Sequence, residues 1–134
     1  MNINKFTQKS LEAVQKCEKL AYEYGNQQIE QEHLLYSLLT VEDSLILKLI
    51  TKMNVKKEQF LNEAAQAIEK LPKVSGGQLY ISNDLNKVLI SAEDEAKAMG
   101  DEYVSVEHLF LAMLKQPSRM VKELFRSYGI TREN

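Results

Sequence analysis

Apolar residues recur along this chain at the three- and four-residue spacing of amphipathic helices, with short polar breaks between the segments. Seven such segments are visible, at about 7–24, 30–40, 43–53, 56–71, 82–99, 105–115 and from Pro117 to near Tyr128. No segment shows the sustained alternation of apolar and polar residues that is typical of a strand. The pattern therefore predicts an all-α protein.

The polar residues at the segment ends support these helix boundaries. Thr7, Ser82 and Ser105 stand where an N-cap is expected, because a short hydroxyl side chain can accept a hydrogen bond from a first-turn amide. Glu30 takes this place before the second helix, which is a departure from the usual cap chemistry. We expect Gly25 to end the first helix in the left-handed conformation, as glycine commonly does.

The helical pattern repeats when the second half of the chain is shifted back by 75 residues. Between positions 24 and 39, five of sixteen residues are then identical, where composition alone would give about one. The matched positions include Thr7 with Ser82, Cys17 with Ala92, Gly25 with Gly100, Glu32 with Glu107, His33 with His108, and Leu34 with Leu109. Repetition at a fixed offset predicts duplicated architecture.

We therefore predict a single domain over residues 1–134, built as a tandem pseudo-two-fold repeat of two four-helix-like halves. The repeats span about 6–71 and 82–134, and the bridge 72–81 joins them through the segment PKVSGG. A half this small would expose an apolar face if it stood alone, so we expect the halves to pack face to face. Leu34, Leu38, Leu109 and Met113 are expected in the core.

Composition and charge narrow the range of possible functions. The chain has 134 residues, 44% of them hydrophobic, a formal net charge of -2 and no basic stripe, which argues against nucleic-acid binding. No apolar run is long enough to span a membrane and the start lacks a signal-peptide core, so we expect a cytoplasmic protein. The one cysteine, Cys17, lies on an apolar stripe and is expected in the core.

Catalytic and metal-binding patterns are absent from the sequence. No G-x-x-x-x-G-K-[ST] phosphate loop and no paired nucleophile and base are visible. His33 and His108 lie near the starts of their helices, where a helix-end hydrogen bond or partial burial is expected. No further histidine exists to complete a metal site around them. We expect no metal and no enzymatic activity in this chain.

Three segments carry a family resemblance. The paired openings EHLLYSLL and EHLFLAML, the bridge LPKVSGGQLYIS with the later AKAMGDEYVSVEHLFLAML, and the opening KFTQKSLEAVQKCEKLAYEYGNQQIEQEHLL cover almost the whole chain. Together they resemble the Clp amino-terminal domain family, which precedes the AAA+ ATPase rings of the Clp/Hsp100 unfoldases. The bridge is more similar to the ClpB disaggregase branch than to the ClpC protease-partner branch.

The resemblance implies a substrate-binding domain of an ATP-dependent disaggregase chaperone that acts in the stress response. Such a domain captures unfolded or aggregated polypeptides for the AAA+ ring, while ATP and magnesium bind in downstream domains. It also implies that this chain is monomeric alone and that the full-length protein is a hexamer. The alternative is a ClpC-type domain that docks adaptor proteins or arginine-phosphate.

The resemblance also points to candidate substrate-binding residues. Positions that match Thr7, Asp101 and Glu107 are tied to substrate handling in ClpB-type domains. Ile90 is added because of the hydrophobic pattern, since it lies away from the apolar stripe of its helix. That stripe consists of Leu85, Val88, Leu89, Ala92, Ala96 and Met99. We expect these four residues to surround a shallow apolar groove beside the helix 82–99, weak in affinity and tolerant of many sequences.

Two further groups have structural and functional interpretations. Glu32 and Glu107 could form a cationic-ligand pair beside the seam between the repeats, since the equivalent glutamates serve arginine-phosphate recognition in ClpC-type domains. The structural interpretation is that each carboxylate complements the dipole of its own helix. Leu79, Tyr80 and Ile81 add apolar area to the bridge, and we expect Leu79 and Ile81 to pin the bridge to the core.

Overall fold

The computed structural model describes residues 3–132, and this part of the chain is predominantly helical, which confirms the predicted fold class. Its elements are a 3-10 helix at Ile3–Lys5, α1 at Gln8–Glu23, β1 at Gln28–Ile29, α2 at Gln31–Thr40, α3 at Leu45–Lys52, α4 at Lys57–Glu69, β2 at Tyr80–Ile81, α5 at Asn83–Ala98, α6 at Val106–Lys115 and α7 at Arg119–Ser127. The second half thus contributes three helices in the described residues, against four in the first.

The predicted caps are present. Thr7, Ser82 and Ser105 each accept a hydrogen bond from an amide of their own first turn, as their sequence positions predicted. The third helix begins two residues later than predicted, because Asp43 has a positive φ of 54° and Ser44 caps the helix instead. Local chemistry therefore sets most of the helix starts.

The helices recur at the offset of the sequence repeat. α1 and α5 both contain sixteen residues and begin at Gln8 and Asn83. α2 and α6 both contain ten and begin at Gln31 and Val106. Each pair is related by a shift of 75 residues, so equivalent positions in the two halves can be compared directly.

Two short strand pairings cross between the halves. β1 pairs in parallel with β2, so that Ile29 lies opposite Ile81, and an isolated parallel bridge joins Phe6 to Val104. These pairings are equivalent under the 75-residue shift, which relates Phe6 to Ile81 and Ile29 to Val104. Each pairing thus links the entrance of one half's first helix to the entrance of the other half's second helix. The sequence analysis missed both, because two residues are too few to show alternation.

The core contains the four residues predicted for it, Leu34, Leu38, Leu109 and Met113, all fully buried. Cys17 is also buried, and burial raises the pKa of its thiol to about 12, so the thiolate that reacts with electrophiles is not populated near neutral pH. Among the helices of residues 3–132, none has the length and apolar character needed to cross a membrane.

Two expectations about buried apolar residues are wrong. Met99 belongs to the predicted stripe of α5 but is 55% exposed, because the helix ends at Ala98 and Met99 is its C-cap. Ile81 was expected to pin the bridge with its side chain, yet the side chain is exposed and only its place in the strand pairing holds it. Leu79 does pack against the core.

Candidate functional site

Both histidines cap their own helices. His33 Nδ1 accepts a hydrogen bond of 2.9 Å from the backbone N–H of Glu30, and His108 Nδ1 accepts one of 2.9 Å from the backbone N–H of Ser105. Each imidazole thus satisfies the backbone N–H of its N-cap residue, which has no partner within the helix. The helix-end role expected of the two histidines is confirmed.

The far nitrogen of each ring ties the helix to the preceding loop. Since Nδ1 accepts, Nε2 carries the proton of a neutral ring and donates it, from His33 to Asn26 Oδ1 at 2.9 Å and from His108 to Asp101 Oδ2 at 2.8 Å. Burial lowers the pKa of His33 to about 4, which keeps this ring neutral at pH 7. Asp101 therefore has a structural role, which in the other half falls to Asn26.

A cavity of about 410 Å³ lies between the first turns of α1 and α6 and the α2–α3 loop. We call it the α1–α6 groove. Its lining consists of Thr7, Gln8, Lys9, Leu38, Val41, Asp43, Ser44, Leu45, Ser105, Val106 and Glu107. The structure thus brings two of the predicted site residues, Thr7 and Glu107, into one groove with an apolar part.

Asp101 lines a second cavity, of about 310 Å³, together with Lys5, Glu93, Ala96, Lys97, Glu102 and Val104. We call it the Asp101 cavity. The two cavities flank the strand pairing of Phe6 with Val104. Lys5 and Val104 line the Asp101 cavity, and the residues that directly follow the paired ones, Thr7 and Ser105, line the α1–α6 groove.

Ile90 is 54% exposed on α5 and lines neither cavity. Residues three and seven positions further on, Glu93 and Lys97, share its helix face and line the Asp101 cavity. The four predicted residues therefore do not surround a single groove. Two lie in the α1–α6 groove, one lies in the neighbouring cavity, and Ile90 lies further along α5.

The two matched glutamates have different surroundings. Glu107 is exposed and lines the α1–α6 groove. Glu32 is only 7% exposed, and its Oε1 has no hydrogen-bond partner among the described residues. Burial, together with the nearby negative charges of Glu30 and Asp84, raises the pKa of Glu32 to about 7. The two carboxylates thus do not face a common open site.

The side-chain amide of Gln31, next to Glu32, is fully used. Its Nε2 donates to the backbone carbonyls of Asp84 and Gln116, both at 3.0 Å, and its Oε1 accepts from the backbone N–H of Ser118 at 2.8 Å. Gln31 itself is buried. One side chain therefore links the first turn of α5 to both ends of the α6–α7 loop.

The residues that Gln31 joins have counterparts in the α1–α6 groove. Shifted back by 75 positions, Asp84, Gln116 and Ser118 become Lys9, Val41 and Asp43, all of which line that groove. The counterpart of Gln31 is Val106, whose side chain has no polar atom. We call the surroundings of Gln31 the closed end and those of Val106 the open end, because the Gln31 side chain fills the first whereas the second is accessible.

The sequence analysis missed Leu45, which is 41% exposed and lines the α1–α6 groove. Its counterpart in the repeat is Met120, which gave no sign of exposure. The available signal was the run LILKLI in α3, because apolar residues on nearly every side of a helix cannot all face one core. Leu45, rather than Ile90, supplies exposed apolar surface inside the groove.

Comparison with known proteins places this arrangement in a family. The family model of the Clp repeat (R) N-terminal domain matches residues 5–128, and the chain belongs to that family. The chaperone protein ClpB of Nitratidesulfovibrio vulgaris is 37% identical over 139 residues, which cover 99% of this chain and 16% of that protein. The chain thus spans about a sixth of the length of the curated relatives it matches.

Solved structures share the fold. The Hsp104 N-terminal domain from Candida albicans matches with a TM-score of 0.84 and 20% identity, over 95% of this chain and 83% of that one. A ClpV N-domain in complex with a VipB peptide matches with a TM-score of 0.80 and 23% identity, over 98% and 82% of the two chains. At these identities the likeness concerns the fold alone.

Proposed function

We propose that this domain binds exposed apolar segments of unfolded or aggregated polypeptides and delivers them to the AAA+ ring of a ClpB-type disaggregase. The observation that carries the proposal is the α1–α6 groove. Val41 and the exposed Leu45 offer apolar surface there, beside the polar side chains of Thr7 and Glu107. A shallow groove of this kind suits weak binding of many different sequences, because affinity then rests on few fixed contacts.

The relatives support this assignment. The proteins that match across nearly the whole chain are named ClpB chaperones, and a ClpV N-domain of the same fold has been solved with a bound peptide. A domain that binds a peptide in another branch of the fold family makes polypeptide binding a reasonable role here. We further propose a cytoplasmic protein whose ATP and magnesium sites lie outside this chain.

Ile90 extends the proposed surface along α5. Its exposed side chain lies on the helix face that leads to the Asp101 cavity, and this cavity adjoins the α1–α6 groove across the pairing of Phe6 with Val104. An extended client segment could therefore contact Leu45 in the groove and Ile90 on α5. Asp101, held by His108, would contribute a fixed negative charge between them.

The test is NMR titration of the methyl-labelled 134-residue chain with reduced, unfolded casein. We expect shifts at Leu45, Val41 and Ile90, and a loss of affinity of about three- to tenfold in both Leu45→Ser and Ile90→Ser. Tyr22→Ser is the matched control, since Tyr22 is an apolar, 77% exposed residue that lines neither cavity. Shifts confined to the surroundings of Tyr22 would contradict the proposal.

The same titration separates the alternative function, a ClpC-type docking domain. An adaptor site gives saturable binding to a folded protein and little response to casein. The matched carboxylates of Glu32 and Glu107 give this alternative less support than the sequence suggested, because Glu32 is buried and the adjacent Gln31 occupies the closed end. Titration with arginine-phosphate tests it directly, and an affinity for that ligand that Glu107→Gln abolishes would favour the alternative.

If the ATP and magnesium sites lie outside this chain, the chain itself should bind no nucleotide. Calorimetric titration of the 134-residue chain with ATP and magnesium is expected to show no heat of binding, because the sequence contains no phosphate loop. A saturable site of micromolar affinity would overturn this part of the proposal.

A further inference from the structure

A third cavity, of about 780 Å³, lies between the end of α2, α3 and the start of α4. We call it the α3–α4 cavity. Five of its apolar lining residues are exposed or half-buried: Val41, Leu45, Leu47, Leu49 and Leu61. It shares four residues with the α1–α6 groove, Val41, Asp43, Ser44 and Leu45. The cavity and the groove therefore form one continuous surface, which meets at the exposed Leu45.

Three lysines surround the apolar lining of the α3–α4 cavity. Lys48 and Lys52 lie on α3, Lys57 begins α4, and all three are exposed. None of them forms an ion pair with another residue of the described part, 3–132. Among the lining residues Asp43 is the one acidic side chain. The cavity is thus positively charged, in a chain whose formal net charge is -2.

Helix stability accounts for only one of these lysines. Lys52 lies in the last turn of α3, where a positive charge complements the helix dipole. Lys48 stands four residues before Lys52, so two like charges repel each other on one helix face. Lys57 is the first residue of α4, where the dipole favours a negative charge. Residues that break such local rules without a structural gain are expected at functional surfaces.

We propose that the α3–α4 cavity binds the acidic end of an apolar client segment. The apolar side chains of the segment cover Leu45 and the lining beyond it, and aspartate or glutamate carboxylates lie beside Lys48, Lys52 and Lys57. The proposal rests on the polypeptide-binding function proposed above and names the class of segment that is preferred. Segments whose apolar residues adjoin carboxylates bind most tightly, and segments that end in lysine or arginine are disfavoured.

A polypeptide carboxylate fits this cavity better than a free anion does. A free phosphate would neutralise the lysines but leave the apolar lining, such as Leu47 and Leu61, in contact with water. A segment with both kinds of side chain covers the lining and neutralises the charge. Because lysine holds its charge on a flexible stem, carboxylates at slightly different positions can be reached. The cavity thus selects by charge rather than by exact sequence, which suits a domain that binds many clients.

The first experiment compares three peptides and needs no variant of the protein. Each has the same apolar core and capped ends, and the core is followed by a run of glutamate, glutamine or lysine. Binding to the 134-residue chain is followed by methyl NMR at Leu45, Leu47 and Leu49. We expect the glutamate peptide to bind about tenfold more tightly than the glutamine peptide, since each exposed ion pair strengthens binding by up to about fivefold. The lysine peptide should bind most weakly.

Salt provides an internal check on the same three peptides. Raising the ionic strength from about 0.01 M to about 1 M shortens the screening length from about 30 Å to about 3 Å. The three affinities should then converge on that of the glutamine peptide. Equal affinities of the glutamate and glutamine peptides at low salt would overturn the proposal.

The second experiment removes the positive charge from the cavity. In the triple variant Lys48→Gln, Lys52→Gln and Lys57→Gln, the glutamate peptide should bind no more tightly than the glutamine peptide. Charge reversal is the sharper variant, because Lys48→Glu together with Lys57→Glu should make the lysine peptide the preferred one. Thermal unfolding checks that the variants are folded. A preference for glutamate that survives in either folded variant contradicts the proposal.

The matched control has the same net charge as the triple variant. Lys19→Gln, Lys70→Gln and Lys87→Gln remove three exposed lysines that line neither the α3–α4 cavity nor the α1–α6 groove. The control should keep the preference for the glutamate peptide. If the control loses the preference to the same extent, overall charge rather than the cavity is responsible, and the proposal is wrong.

The outcomes distinguish this inference from the proposed function. If casein produces shifts at the α1–α6 groove but the three peptides bind equally, the surface binds unfolded chains without regard to charge, and only the inference fails. If casein produces no shifts at the groove while the glutamate peptide still binds through the three lysines, the proposed function fails and the charge selection of the cavity stands. If neither binds, both are wrong.

Discussion

The open and closed ends of this domain are built on equivalent helices, α6 and α2, and differ in accessibility. Both begin with a helix whose third residue is a histidine that caps the helix and ties it to the preceding loop. They differ at the first helical residue, where Gln31 bridges three backbone groups and Val106 bridges none. The two halves thus share the helix that this histidine caps, while the space beside the first residue of that helix is filled in one half and accessible in the other.

If the two halves differ only around their grooves, their cores should contribute equally to the free energy of unfolding, and the variants that test this have the largest expected effect. Leu34→Ala and Leu109→Ala remove equivalent leucines that are both fully buried. Each should lower the free energy of unfolding by roughly 2–5 kcal/mol, through lost transfer energy and the cavity left behind. Denaturant unfolding measures both losses. A large difference between them would mean that the ends differ in their cores as well as in their grooves.

The next prediction sharpens the contrast between the two glutamates. Because the folded-state pKa of Glu32 is raised to about 7 from 4.5, the folded protein takes up a proton that the unfolded chain has released between these pH values. Glu32 therefore contributes stability below pH 4.5, and this contribution is lost as the pH rises through 7. Glu32→Gln should abolish the loss and be more stable than the parent at pH 8, by about 3 kcal/mol.

The control for this prediction is Glu107→Gln, which removes an exposed carboxylate at the equivalent position and should change stability by less than about 1 kcal/mol. His33 contributes in the opposite direction, because its pKa is lowered to about 4 and stability falls as the pH drops through that of the unfolded ring. Only the difference between parent and variant isolates Glu32. A difference that does not vary between pH 4.5 and 8 would contradict the prediction.

A third prediction concerns the hydrogen bonds that the Gln31 side chain makes at the closed end. Gln31→Ala removes three hydrogen bonds to buried or partly buried backbone groups, and we expect a loss of about 1–3 kcal/mol. The N–H of Ser118 then lacks its partner, so its hydrogen exchange should accelerate more than that of Arg119 in the following helix turn. Unchanged exchange at Ser118 would show that the amide of Gln31 does not hold the α6–α7 loop.

The smallest expected effect separates the structural role of Asp101 from its proposed binding role. Asn26 accepts the same histidine hydrogen bond in the other half, so Asp101→Asn should keep stability within about 0.5 kcal/mol. Asp101→Ala should cost about 1 kcal/mol, because the Nε2–H of His108 loses its acceptor. Weakened casein binding in the stable Asp101→Asn variant would assign the charge itself to client binding.

The sequence predicted those features that neighbouring residues determine. Caps such as Ser82 and the helix boundaries follow from side chains that contact their own first turn, and the repeat is visible as matched helical periodicity. Gln31 escaped prediction because its three partners lie 53, 85 and 87 residues further along the chain. Its sequence neighbours contain no sign of them. The same holds for Glu32, whose burial follows from how the two halves pack.

For the same reason, the sequence predicted only part of the candidate site. Thr7 and Glu107 were grouped by resemblance, and the structure places both in the α1–α6 groove. Ile90 was correctly expected to be off the stripe of α5, but its helix face leads to the neighbouring cavity. Leu45 was not predicted as a site residue, although it is exposed and lines the groove. Periodicity tells which face of a helix is apolar, whereas the packing of a second helix decides how much of that face is covered.

The pairing of Phe6 with Val104 has a consequence for synthesis on the ribosome. The entrance of α1 is completed by a residue from the second half, so the first half cannot reach its final arrangement while it is the only part translated. At about 5–20 residues per second, roughly 5–20 seconds separate the emergence of these two residues. During that interval the apolar face of α1 lacks its partner from α6. We expect the nascent domain to become protease-resistant only after the segment around Val104 has left the exit tunnel.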